Sequence, residues 1–306
     1  MKRIFIDGSA GTTGLRIFER LSSREDISLI QLSEENRKDP QARKDAIFEA
    51  DIAFLCLPDD AAIEAVSLAE GADTCIIDTS TAHRTAEGWT YGFPEIGRLR
   101  EKIKTSKRIA NPGCHASGFI SLVAPLVENG VIPKNAQLSC FSLTGYTGGG
   151  KKMISEYETG KTKALEAPRM YGLSQNHKHL PEMSAVTGLT KTPVFCPVVA
   201  DFPCGMEVVV PVTQDLATGT LKDICDIYQS YYKTGLVHFK DAADENGFLT
   251  ANAFSGRDDM QISVFGNEER ILLVSRFDNL GKGASGAALQ NMNLVLGIDE
   301  ETGLAV

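Results

Sequence analysis

The stretch "KRIFIDGSAGTTGLRIFERL", residues 2–21, decides the fold. Its first half is a short apolar run ending at Gly8, which predicts a strand. Its second half, "GLRIFERL", has helical periodicity, with Leu15, Phe18 and Leu21 on one face. Between the two stand Gly8, Gly11 and Gly14, spaced GxxGxxG. A strand, a glycine turn and a helix in that order provide a tight corner, a backbone that a phosphate can approach, and helix N–H groups that hold the anion. Ser9, Thr12 and Thr13 add hydroxyl donors, with Ala10 between them. The same glycines would also serve a plain strand–helix turn. Their position at the first strand–helix junction favours a dinucleotide loop.

Working outward, "SLIQL" (28–32), "ADIAFLCLP" (50–58), "TCIIDTS" (74–80) and "KRIAN" (107–111) predict four more strands, and "AAIEAVSLA" (61–69) a helix. Strands alternating with helices give a parallel sheet covered on both faces. Beyond residue 113 the style changes. "AQLSCFSLTGYTGG" (136–149), the run 192–213, "QISVFG" (261–266) and "ERILLVSRFDNL" (269–280) are strands with few helices between them, the mark of a mixed sheet. "GASGAALQNMNLVLG" (283–297) is helical again, with Leu289, Met292 and Leu296 on one stripe. The expected fold class is α/β: a nucleotide-binding parallel-sheet domain over residues 1–112, a second domain with a mixed sheet over 113–283, and a closing helical segment at 284–306 that packs closely against its surroundings.

Bulk properties narrow the function. Among 306 residues, 42% are hydrophobic and 23% charged, and the net charge is −9. No basic excess exists to neutralise phosphates, which argues against a general nucleic-acid binder. No apolar run reaches the ~20 residues of a membrane span, and Asp7 and the glycines interrupt the N-terminal apolar patch too early for a secretory signal. The expectation is a cytoplasmic protein.

The seven cysteines, at 56, 75, 114, 140, 196, 204 and 225, form no CxxC and no zinc spacing, so no metal is expected. Cys56, Cys75 and Cys140 lie in apolar runs and are expected in the core. Cys114 differs. It follows Pro112 and Gly113 and precedes the apolar helix "FISLVAPLV" (119–127), so it sits at a helix mouth beyond the fifth strand. The positive end of a helix dipole favours a thiolate, and the carboxyl edge of a parallel sheet is where such folds bind ligands. A nucleophile and a thiol buried in a turn are both compatible with these features. In "NHKHLPEM" (176–183), His177 and His179 share a face if the chain is extended there, with Glu182 close behind. They suit acid–base work beside a thiol, and also a plain polar loop. At the end of the second strand, "QLSEENRK" (31–38) offers Ser33, Arg37 and Lys38 to a 2′-phosphate and Glu34 and Glu35 to a free 2′-hydroxyl. The residues leave NADP and NAD both open.

Several segments in order carry a resemblance. "NPGCHASG" (111–118) resembles the active-site cysteine motif of the N-acetyl-gamma-glutamyl-phosphate reductase family, part of the wider aspartate-semialdehyde dehydrogenase group. "GSAGTTG", "DTSTAHR" (78–84), "YGFPE" (91–95), "TGYTGGGKK" (144–152), "HKHLPEM" and "GKGASGAALQNMN" (281–293) are similar to that family's other markers, and the compact length resembles its shorter subgroup. One departure lies before Arg84: the longer form has an acidic residue before the phenylalanine of this loop, and here His83 precedes Arg84.

The resemblance implies a Rossmann-type domain at 1–112 completed by the C-terminal helix 284–306, an α+β catalytic and oligomerisation domain at 113–283, and NADP(H) as cofactor, held by Gly8, Ser9, Ala10, Gly11, Thr12, Thr13, Gly14, Ser33 and Arg37, with Gly148, Gly150 and Asn279 contributing. It implies that Arg84 and Asn111 bind the substrate and that Arg84 takes its phosphate. Cys114 would attack an acyl phosphate and become a thioester, which is reduced to the semialdehyde. His177 or His179 would move the proton, with Glu182 orienting it. A homo-oligomer, dimer or tetramer, is also implied. A dehydrogenase of a shorter acyl phosphate and a non-catalytic redox sensor using Cys114 are the rival readings.

Overall fold

A computed structural model describes residues 1–306. The chain separates into two compact units, one of residues 1–94, 98–112 and 284–304, the other of residues 95–97, 113–283 and 305–306.

The first unit begins with β1 (Lys2–Asp7), α1 (Thr12–Ser22), β2 (Ile27–Ile30), α2 (Pro40–Glu49), β3 (Ile52–Leu55), α3 (Asp59–Leu68), β4 (Cys75–Asp78) and β5 (Thr90–Tyr91). α4 (Leu99–Thr105) and β6 (Arg108–Ala110) follow. Six strands form one parallel sheet in the order β2-β1-β3-β4-β6-β5. Period-two alternation divides its side chains between two cores. Ile4, Ile6, Ile52, Phe54 and Ile77 pack with Ile17 and Leu21 of α1 on one face. Phe5, Ala53, Leu55 and Ile76 pack with Ala46 and Ile47 of α2 and Ala65 of α3 on the other. Continuous apolar strands are what a sheet buried on both faces requires.

The second unit opens with α5 (Cys114–Glu128) and β7 (Ser139–Gly145). α6 (Gly150–Glu158), β8 (Arg169–Met170), α7 (Leu180–Thr187), β9 (Val194–Ala200), β10 (Met206–Thr213), α8 (Leu221–Tyr231), β11 (Val237–Phe239), β12 (Met260–Gly266) and β13 (Arg270–Phe277) complete it. Its seven strands run β11-β12-β13-β10-β7-β9-β8, with parallel pairs β11–β12 and β7–β9 and antiparallel pairs elsewhere. α5 lies on β10 and β13. Gly118 permits that approach, since a Cβ there would overlap the Val208 side chain. The chain then returns to the first unit as α9 (Gly286–Leu296), where Leu289 and Met292 join the core that holds α1.

The structure corrects several local readings. In α1 the buried face is Ile17 and Leu21, while Leu15 is 44% exposed and Phe18 is only partly buried. α2 carries too few apolar residues to announce itself, although Asp39 caps it by accepting the Ala42 N–H at 2.7 Å, with Pro40 opening the first turn. β5 and α4 are too short for a periodic signal. The C-terminal helix stops at Leu296, before a left-handed Gly297, and turns replace helix over residues 299–303. Cys75 and Cys140 are core residues as expected, but Cys56 is only partly covered, at the end of β3.

Candidate active site

In the first unit the glycine loop joins β1 to α1. Gly8 has φ +86°, and a Cβ on it would overlap the Cys56 carbonyl oxygen. A Cβ on Gly14 would overlap the Gly8 carbonyl oxygen. Side chains are therefore excluded at both positions, and the Gly11 N–H closes the turn on the Gly8 carbonyl at 2.9 Å. The loop borders a groove of about 380 Å³. Gly8, Ser9 and Ala10 form one end, Leu15, Phe18, Leu29, Leu32 and Leu57 its apolar lining, and Glu34, Arg37 and Lys38 its charged rim. The partial exposure of Leu15 and Phe18 follows: they face this groove instead of the core. An apolar trough between a helix N-terminus and a charged rim fits the adenosine half of a dinucleotide. Arg37 is ion-paired with Glu34 at 2.8 Å, and the Ser33 hydroxyl accepts the Asn36 N–H at 3.4 Å. Ser33, Gly11, Thr12 and Thr13 lie outside the groove lining.

After β4 the chain forms the loop that carries Arg84. Asp78 is fully buried and organises it, accepting the Ser80 hydroxyl at 2.6 Å and meeting His83 Nδ1 at 2.6 Å. His83 stacks on Trp89 with ring centroids 4.2 Å apart. His83 is thus a strut of this loop, which accounts for a histidine at that position. Arg84 donates from Nε to the Asn111 carbonyl at 3.0 Å and from Nη2 to the Thr79 carbonyl at 3.2 Å. Asn111 is buried; its Nδ2 donates to the Ala284 carbonyl and its Oδ1 accepts from Asn291 Nδ2 at 3.3 Å. It ties β6 to the C-terminal return.

The second unit holds the thiol. Cys114 is the first residue of α5, after an extended Gly113 at the N-cap, and is partly exposed. Glu182, buried in the first turn of α7, accepts the Gly113 N–H at 3.1 Å and so links the histidine segment to the helix mouth. His177 and His179 are not on an extended strand. His179 has helical dihedrals at the start of α7, its N–H donates to His177 Nδ1 at 3.2 Å, and the two rings meet edge-to-face at 4.7 Å. Gln175 braces the segment from below, pairing with both backbone groups of Phe195 at 2.7 and 2.8 Å.

Sequence reasoning passed over His115. It is buried, with Nδ1 2.6 Å from the Ser142 hydroxyl and Nε2 2.6 Å from the Tyr171 hydroxyl. Its ring centroid is 5.9 Å from that of His177 and 5.6 Å from that of His179. Burial, with His177 adding to it, pushes its pKa down to about 3, so it is neutral near pH 7. A second omission is the ion pair of Lys282 and Glu95. Both side chains are 1% exposed, and Nζ lies 2.8 Å from each carboxylate oxygen. Lys282 belongs to a π-type turn, Gly281–Ser285, a distortion often found at functional sites. Its neighbour Gly283 abuts Cys114, and a Cβ on it would lie 3.0 Å from the Cys114 Cβ. The sequence signal was the pair of segments "YGFPE" and "GKGAS", each of which carries one partner.

Gly148 lies in the turn after β7 and Gly150, with φ +71°, opens α6. Asn279 is buried beneath that turn, accepting the Gly205 N–H at 2.9 Å and donating to the Thr147 hydroxyl at 3.0 Å. No group of histidine, cysteine, aspartate and glutamate side chains is arranged to hold a metal ion. No helix is long and apolar enough to cross a membrane.

These features match known proteins. Residues 3–106 match the NAD binding domain of semialdehyde dehydrogenases, and residues 114–279 match their dimerisation domain. N-acetyl-gamma-glutamyl-phosphate reductase 2 of Nostoc sp. is 43% identical over 99% of both chains. N-acetyl-gamma-glutamyl-phosphate reductase of Brucella anthropi is 44% identical over 96% of this chain and 98% of that one. Among solved structures, aspartate semialdehyde dehydrogenase II from Vibrio cholerae superposes with a TM-score of 0.74 at 18% identity, covering 97% of this chain and 99% of that one. Aspartate semialdehyde dehydrogenase with NADP from Candida albicans superposes with a TM-score of 0.69 at 14% identity, covering 97% and 98%. The parallel-sheet unit, the mixed-sheet unit and the matches along the whole chain agree, and the chain belongs to the N-acetyl-gamma-glutamyl-phosphate reductase family of semialdehyde dehydrogenase-like enzymes.

Proposed function

We propose that this protein reduces N-acetyl-glutamyl 5-phosphate to N-acetyl-glutamate 5-semialdehyde with NADPH, a step of arginine biosynthesis, through a thioester on Cys114. The observation that carries the reading is the partly exposed thiol at the N-terminus of α5, linked by the Glu182–Gly113 hydrogen bond to the segment bearing His177 and His179. The helix N-terminus favours the thiolate. Cys114 Sγ attacks the acyl carbon, the tetrahedral adduct collapses, and the C–O bond to phosphate breaks. A thioester is a far better hydride acceptor than a carboxylate, which is why a thiol is used. NADPH, when bound, supplies that hydride. Protonation and deprotonation of the adduct oxygen fall to His177 or His179, because an imidazole can both give and take a proton.

Gly8, Ser9, Ala10, Arg37 and Lys38 are the residues we assign to NADPH within the groove. The remaining residues of the glycine loop support its turn. We assign the substrate phosphate to Arg84, whose loop is fixed by Asp78 and His83. The protein acts, on this reading, as a cytoplasmic homo-oligomer. The face of the mixed sheet away from α5 exposes Phe141, Val194 and Leu272, an apolar surface suited to a second copy.

The test is the reverse reaction. NADP+ should be reduced in the presence of N-acetyl-glutamate semialdehyde only when inorganic phosphate is added. Equal or better use of aspartate semialdehyde would replace the proposed substrate, and absence of any phosphate-dependent turnover would remove the enzymatic reading.

A further inference from the structure

The structure assigns a positioning role to Ser142 and His115: they fix the Tyr171 hydroxyl so that its proton points into the Cys114 site and donates to the oxygen of the acyl group held there. This rests on the proposed acyl-thioester chemistry, and the hydrogen-bond direction stands independently of it. Ser142 is fully buried on β7, and its hydroxyl makes one hydrogen bond, to His115 Nδ1 at 2.6 Å. A buried hydroxyl without an acceptor costs about 1–3 kcal/mol, so the Ser142 proton goes to Nδ1. His115 is neutral and carries one ring proton, which is then on Nε2. Nε2–H donates to Tyr171 Oη at 2.6 Å. The Tyr171 oxygen is thereby an acceptor toward His115, and its own O–H is turned away from it.

The surroundings of Tyr171 say what the freed proton can meet. His177 lies 5.9 Å from the Tyr171 ring, so the hydroxyl belongs to the same cluster as the acid–base pair. His115, which holds the Tyr171 oxygen, directly follows Cys114 in the first turn of α5, and burial first, then the Cys114 charge, raises the Tyr171 pKa, so the phenol stays protonated. Tyr171 is itself only partly buried. A neutral donor aimed at the acyl oxygen stabilises negative charge as the tetrahedral adduct forms. It neither gains nor loses its proton. The imidazolium form of His115 would keep Nε2–H but force Ser142 to accept, orphaning its proton. Within the cluster the groups that face His115 are His177, His179 and Tyr171, with Cys114 its chain neighbour.

Two measurements test this. In two-bond ¹H–¹⁵N spectra of histidine-labelled protein, His115 should show the Nε2–H tautomer from pH 5 to 8. The Nδ1–H tautomer, or titration in that range, overturns the assignment whatever the protein's activity. In the reverse assay, Tyr171→Phe should lower kcat by about tenfold or more with little change in phosphate KM, as for a lost oxyanion donor. Ser142→Ala should lower kcat less, and in the Tyr171→Phe background it should cost nothing further. Equal losses in both backgrounds would make Ser142 merely structural and end the proposal. His115→Gln, which retains an N–H near the Nε2 position, should retain more activity than His115→Leu. Equal loss in both would overturn the positioning role. A wild-type protein inactive with semialdehyde, NADP+ and phosphate would refute the function while leaving the tautomer result intact.

Discussion

Acid should unfold this protein partly through His115. The imidazole is 3% exposed, and burial, followed by the nearby His177, pushes its pKa down to about 3. In the unfolded chain the same group titrates near the ordinary value of about 6.5. The folded state therefore binds the proton more weakly. The stability this provides is fully present above pH 6.5 and is lost as pH falls from 6.5 toward 3. At about 1.4 kcal/mol per pH unit, acidification from pH 7 to 5 costs about 2 kcal/mol, roughly a thirtyfold change in the folding equilibrium. The quantity to measure is the difference between the wild type and His115→Gln, which cancels the pH dependence common to both. Reversible urea unfolding at fixed protein concentration, at pH 7, 6 and 5, gives both curves. The wild type should lose about 2 kcal/mol more than the variant between the extremes. A difference that is the same at pH 7 and pH 5 would show that His115 keeps an ordinary pKa, and the burial argument would be refuted.

Gly8→Ala should weaken NADPH binding at least about tenfold in a calorimetric titration, because the new Cβ overlaps the Cys56 carbonyl at φ +86° and must distort the loop; unchanged affinity would place the cofactor elsewhere. Lys282→Met removes the ammonium from the buried Glu95 carboxylate, and should cost about 3–5 kcal/mol in chemical denaturation, while the double variant Glu95→Gln/Lys282→Met should recover much of that loss. No recovery would mean that the pair does not carry the effect. Arg84→Lys should raise the KM for phosphate about tenfold in the reverse direction and leave NADP+ affinity alone, since an ammonium cannot copy the guanidinium fork. An unchanged KM would reduce Arg84 to a brace for the Thr79 and Asn111 carbonyls.

The alternation of apolar runs with glycine turns made the parallel sheet legible, because strands buried on both faces must be apolar throughout. α2 was not legible: Arg43 is one of its three buried residues, and its guanidinium is neutralised by Asp7 at 3.0 Å, a partner 36 positions away. The face of α1 was misjudged for a related reason. Leu15 and Phe18 are apolar for the sake of the groove, and periodicity cannot distinguish a ligand-facing stripe from a core-facing one. At the thiol site Cys114 was visible from its turn and helix. His115 was not, because its meaning depends on Ser142 and Tyr171, which only the folded sheet brings to it. The segments "YGFPE" and "GKGAS" stood out in the sequence, but that Glu95 and Lys282, 187 residues apart, meet as an ion pair was not legible there.

The central claim is that Cys114 becomes acylated. The direct measurement is peptide mass spectrometry of protein mixed with N-acetyl-glutamyl 5-phosphate without NADPH and quenched in acid. The account predicts an N-acetyl-glutamyl adduct on the Cys114 peptide alone, released by hydroxylamine and absent from Cys114→Ser. Phosphate-dependent turnover by a protein that forms no such adduct, or near-native activity in Cys114→Ser, would contradict it.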